Sequence, residues 1–120
     1  MSAPVIIDFD RYLRPIFDTI SDGVQVIDFD WRYIYLNETA ARHGRKSRDE
    51  LIGSAIMDLY PDIDNTEMFR RLTLCMTERV PQSMVNEFTH IDGSKAWFAL
   101  RMHPVPMGVL ILSIELAQSY

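Results

Sequence analysis

The chain has 120 residues, 48% hydrophobic and 24% charged, the composition of a single globular domain and not of a disordered segment. Its formal net charge of -5 supplies no basic face for phosphates, which excludes nucleic acid and an anionic membrane surface from the expected partners. The single cysteine, Cys75, forms no internal disulfide and no cationic start leads into an apolar export segment, so the expected compartment is the cytoplasm.

In chain order, Phe9, Tyr12, Leu13, Ile16, Phe17 and Ile20 recur at helical spacing and predict an amphipathic N-terminal helix. Pro15 either kinks it or sits in the first turn of a shorter helix beginning near Arg14. After Asp22-Gly23, the runs Val24 to Ile27 and Tyr33 to Leu36 flank Asp28-Phe29-Asp30, the pattern of a β-hairpin. From Asn37 to Leu59 short helical pieces are punctuated by Gly44 and Gly53, with Pro61 just beyond. Arg42, Arg45, Lys46 and Arg48 cluster here, either a dock for an acidic partner or a solvated helix end.

Asp64 with Glu67 three residues on resembles a capping box, and Met68, Phe69, Leu72, Cys75 and Met76 carry a helical stripe to about Arg79. Pro81 ends it. Three strand-like segments close the chain: Met84 to Thr89, Ala96 to His103 and Val109 to Ser113. The order predicts an α+β fold with five antiparallel strands and helices inserted between the second and third strands. The longest apolar run, Met107 to Leu112, is far short of the roughly 20 residues that span a bilayer.

Three stretches in this order resemble the PAS family: Asp22-Gly23-Val24 with Tyr33 through Ala41, Glu50-Leu51-Ile52-Gly53 with Leu59-Tyr60-Pro61, and Asp92 through Trp97 with Pro104 and Gly108. The likeness runs from about Phe17 to Glu115 and implies the PAS fold, one domain over 1–120 with a helical cap at 1–21 and a core at 22–116. Asn37, directly before a helical segment, suits an N-cap by its own chemistry.

The resemblance also implies which strand faces look into a ligand cavity between sheet and helices. These are Gln25 and Ile27, Ile34 and Leu36, Asn86 and Phe88, Phe98, Leu100 and Met102, and Val109 and Ile111, meeting Phe69, Leu72 and Met76 of the long helix. Gln25 and Asn86 are either polar anchors for a ligand or amides bonded to backbone or water. The light-sensing flavin branch carries a reactive cysteine where Ile56 stands, so Ile56 joins the lining and argues against flavin. No histidine lies in the long helix at the heme position, which argues against heme and leaves any cofactor unknown. His43, His90 and His103 fall on different elements with no metal-ligand spacing, so no metal is expected.

No phosphate-binding glycine loop, nucleophile elbow or Cys-His context is present, and the Asp-Phe-Asp triplets at Asp8 and Asp28 suit a chain start and a turn, so no enzymatic activity is expected. The expected function is a sensor that binds a small, mostly apolar ligand and relays it to an effector such as a histidine kinase. A ligand-free dimerisation or protein-interaction module is the alternative, and a cone-shaped hydrolase or isomerase a third reading. The stripe Tyr12, Leu13, Ile16 and Phe17, with Val24, Val26 and Trp97 of the outer sheet face, either supports a parallel homodimer or caps its own sheet. By the resemblance, Ser113 stands where the family carries an acid that caps an outgoing helix, so Ser113 either caps such a helix or is only the last residue of the final strand.

Overall fold

The computed structural model describes residues 22–90 and 92–116. The helix expected over Phe9–Ile20, the cap to which it belongs and the first Asp-Phe-Asp triplet lie outside the described residues. Strands β1 (Gly23–Asp28) and β2 (Tyr33–Leu36) form the first hairpin. Three short helices, α1 (Glu38–Gly44), α2 (Arg48–Leu51) and α3 (Ile56–Leu59), then lead through a 3-10 turn at Ile63–Asn65 into the long α4 (Glu67–Glu78). Strands β3 (Gln82–Thr89), β4 (Lys95–Val105) and β5 (Gly108–Leu116) complete an antiparallel sheet of order β2-β1-β5-β4-β3. The α+β arrangement, with helices inserted between the second and third strands, is the one expected.

Local chemistry sets the boundaries. In the first turn the Asp28 carboxylate accepts from the amides of Asp30 and Arg32, at 2.9 and 3.0 Å, which is the backbone-bonding role that favours Asp in turns. Ser47 and Glu50 form a capping box at the start of α2. At α4 the box expected from Asp64 and Glu67 is replaced by Thr66, whose hydroxyl accepts from the Phe69 amide at 3.1 Å, while Asp64 sits in the preceding 3-10 turn. Helix α4 stops at Arg79, which takes the left-handed conformation, and its guanidinium donates to the carbonyls of Gly108 and Val105, tying the helix end to the β4–β5 turn.

Glycine is required at Gly108. A side chain there would collide with the Ile27 carbonyl of the paired strand and lie 2.8 Å from the Asp28 Cα, both backbone groups that cannot give way.

The main core lies between the inner sheet face and the helices, built on Ile27, Leu36, Ile56, Leu72, Met102, Val109 and Ile111, each at most 1% exposed. A second cluster, Val24, Val26 and Tyr35, occupies the other face with Val105, Leu110 and Leu112 beside it. Among the described residues no helix is long and apolar enough to cross a membrane.

Candidate functional site

A cavity of about 730 Å³ lies between the inner sheet face and the segment from α1 to the start of α4. Antiparallel pairing places directly opposed residues on one face, and the register aligns Leu36, Gln25, Ile111, Met102 and Gln82 in one row, with Gly23, Ser113, Leu100 and Met84 in the next. Asn86 pairs with Phe98 one row further on. Seven of the fifteen residues expected in the lining are there: Gln25, Leu36, Ile56, Asn86, Phe88, Phe98 and Leu100. The exposed Pro61, Asp62, Thr66, Glu87 and Thr89 form a rim, so the cavity opens between the 61–66 loop and edge strand β3.

Ile27, Met102 and Ile111 on the inner sheet face, and Leu72 and Met76 on α4 above it, are packed into the core away from the cavity, as is Val109. Phe69 is half-buried beside Trp31, ring centroids 5.0 Å apart, and Met68 takes the lining position on α4 instead.

Ile34 corrects the expected alternation, because it is 42% exposed while Tyr33 is buried. The β1–β2 register slips between Val26 and Ile27, so that Val26 opposes Tyr35 but Ile27 opposes Tyr33. This bulge gives β2 an extra residue and swings Ile34 out, turning Tyr33 toward the cavity with Leu36. Strict alternation from Ile34 and Leu36 puts Tyr33 on the outer face, so only the bulge brings it into the lining.

His43 and Ser113 also enter the lining without having been expected there. Ser113 lies within β5, paired with Gly23 and Leu100 and only 4% exposed, so it is a strand residue and does not cap an outgoing helix. Its hydroxyl is 3.2 Å from His43 Nδ1, and the imidazole lies 4.8 Å from the Phe98 ring. The close approach needs Gly23, where a Cβ would collide with the Ser113 hydroxyl and lie 3.1 Å from His43 Nδ1. His43 follows Ala40 by three on α1 and shares its cavity-facing side, so helical periodicity carried a signal for it.

The electrostatics of the lining favour neutral groups. Burial lowers the His43 pKa, with Arg42 acting the same way and Glu115 and Asp22 opposing. Burial also raises the phenols of Tyr33 and Tyr60, Tyr60 adding to the shift of Tyr33 and Glu50 to that of Tyr60. Cys75 is fully buried on α4, outside the lining, with its thiol pKa raised by burial. Among the described residues no cluster of three or more His, Cys, Asp or Glu side chains is placed to hold a metal.

The basic cluster is engaged locally. Arg45 pairs with Asp92 at 3.0 Å, Arg48 with Glu38 at 3.1 Å, Arg42 donates to Thr39, and Lys46 lies over the Tyr60 ring.

The lowered His43 pKa has a signed consequence. An unfolded histidine protonates near its ordinary value of about 6.5, while folded His43 resists until lower pH. Between the two, the unfolded chain binds more protons, so stability falls as pH drops below about 6.5 and levels off beneath the folded pKa. Urea midpoints across the acidic range are expected to show this loss in the wild type and a smaller one in His43→Gln. An equal acid slope in both would show that His43 does not contribute.

An antiparallel five-stranded sheet holding an apolar cavity beneath a layer of short helices defines a cavity-bearing α+β domain. Residues 17–120 match the family described as the PAS fold, and the chain belongs to that family. It is similar to a PAS domain from Colwellia psychrerythraea, with 17% identity and a TM-score of 0.74 over 93% of this chain and 100% of that one. A domain of a sensory box sensor histidine kinase/response regulator from Geobacter sulfurreducens is 19% identical, TM-score 0.69, over 87% of this chain and 91% of that one. A Rhodobacter sphaeroides LOV protein is 16% identical, TM-score 0.74, over 94% of this chain and 70% of that one. No curated protein matches the sequence.

Proposed function

We propose that the chain is a cytoplasmic sensor domain that binds a small, mainly apolar ligand in the cavity and relays its occupancy to an effector such as a histidine kinase. The observation that carries this reading is the cavity itself: about 730 Å³, largely apolar, with the side-chain amides of Gln25 and Asn86 on its wall. Among the described residues neither amide has a protein hydrogen-bond partner and both are only partly buried, which leaves water or a ligand, and not the backbone, to satisfy them. A few placed polar groups in an apolar concavity are the usual make-up of a small-molecule site. The likeness to a sensor histidine kinase domain supports the kind of output.

The dimerisation module is the second reading, favoured by Val85 and Ile114, both exposed on the outer sheet face and joined through Ala99. Native mass spectrometry of the purified chain tests both. The sensor reading expects a retained small molecule that denaturation releases. A bare dimer, together with no binding from a diverse small-molecule library, would favour the interaction module.

A further inference from the structure

The polar groups of the cavity are not gathered at one end. Sheet order and register lay them diagonally across the inner face, with Gln25 on β1, Ser113 on β5 and Asn86 on edge strand β3, three strands from β1. At roughly 4.8 Å per strand over three strands, and roughly 3.3 Å per residue over the four positions between Gln82 in Gln25's row and Asn86, the two stand about 20 Å apart on the diagonal, leaving on the order of 15 Å between them once their side chains reach inward. Between them, Ser113 and His43 bond to each other at 3.2 Å, and the rest of that stretch is the apolar surface of Phe98 and Leu100.

Among the described residues the lining contains neither lysine nor arginine, and its only carboxylates, Asp62 and Glu87, are exposed at the rim. An anionic ligand would enter past Asp62 and past Glu87, which is paired with Lys95 at 3.1 Å, and find no cation inside. A cationic one would leave the carboxylates behind and lose its hydration against apolar walls. Burial also keeps His43 neutral near pH 7, so it offers no charge to either.

From this arrangement we infer that the ligand is an uncharged, elongated, mainly apolar molecule with a hydrogen-bonding group at each end, held by the Gln25 amide at one end and the Asn86 amide at the other. Each amide both donates and accepts, so hydroxyl, carbonyl or amide groups serve equally at the ends. The inference rests on the sensor reading, and its test separates the two.

The full chain is titrated with three probes of one shape: para,para-dihydroxybiphenyl, para-hydroxybiphenyl and biphenyl-para,para-dicarboxylate. Heteronuclear NMR follows the side-chain amide signals, assigned by their loss in Gln25→Leu and Asn86→Leu. The diol is expected to shift both amide signals and to bind about tenfold tighter than either the mono-ol or the dicarboxylate, the effect of one further satisfied hydrogen bond or of avoiding a buried charge. Either leucine variant should bring the diol's affinity down to that of the mono-ol. Equal or tighter binding of the dicarboxylate overturns the uncharged class while leaving the cavity as the site. Diol binding that shifts neither amide, yet is lost in Leu100→Trp, overturns the anchors alone. Diol binding that survives Leu100→Trp overturns both this inference and the sensor reading's choice of site, and failure of all three probes to bind overturns the inference.

Discussion

Replacing Asn37 with alanine is expected to lower the stability of the domain by about 3 to 5 kcal/mol, enough to unfold a substantial fraction of a chain whose total stability is of order 5 to 15 kcal/mol. Asn37 is fully buried. Its carboxamide oxygen accepts from the Ala40 amide, capping α1, and from the Val24 amide in β1, both at 2.9 Å. Its amide nitrogen donates to the Asp22 carbonyl at 2.9 Å, and its backbone amide donates to the Val24 carbonyl. One side chain therefore joins the start of the first strand to the start of the first helix. Truncation strands two buried amides, that of Ala40, which is the lost helix cap, and that of Val24, each costing about 1 to 3 kcal/mol, and also leaves the Asp22 carbonyl without its donor. Asn37→Asp tests the account further, because it keeps both acceptor roles but sets a carboxylate against the Asp22 carbonyl. It should also destabilise the domain, more at neutral than at acid pH. The check is urea unfolding with both midpoint and slope fitted; a loss below about 1 kcal/mol for Asn37→Ala would mean that water replaces the carboxamide at no cost.

Leu100→Trp is expected to abolish ligand binding, lowering affinity more than about a hundredfold, while the domain stays folded. Leu100 is 5% exposed on β4, between Met84 on β3 and Ser113 on β5, and its side chain forms part of the cavity wall. An indole there fills space that the ligand needs. Overpacking in a tight core costs about 1 to 3 kcal/mol, and open volume beside Leu100 keeps the cost toward the lower end. Circular dichroism and thermal unfolding establish that the variant is folded, and titration with any ligand identified by native mass spectrometry reads the effect. A folded variant with unchanged affinity would place the ligand elsewhere.

Much of the fold was legible because local chemistry sets it. The Asp28 turn, the Asn37 cap and the strand runs depend on residues close in sequence, and the structure has the elements where those patterns put them, extended by a residue or more at most strand ends. The α4 cap is the exception within this local class, since Asp64 and Thr66 both offer acceptors and only the path of the chain out of the 3-10 turn chose Thr66. The site was legible in part. The family resemblance named the inner face, and period-two alternation carried it along to Asn86, Phe88, Phe98 and Leu100, since β3 and β4 pair without a slip. Alternation failed at Ile34, where a bulge in β2 reverses the faces.

By itself the sequence determined the order of elements and the α+β class, properties that short-range spacing and residue type specify, while its family resemblance marked the apolar inner face and the two amides set into it. Only the tertiary structure decided which inward residues line open space and which fill the core, because that depends on how far each stretch of sheet lies from the helices above it. Met102 and Ile111 share the face of Leu100 yet are packed solid, while Leu100 borders the cavity. Tertiary structure also brought His43 to Ser113 across 70 positions of chain, over a glycine whose missing side chain makes room for them. No local pattern encodes a contact between residues so far apart, and it forms only once the first helix has docked on the sheet.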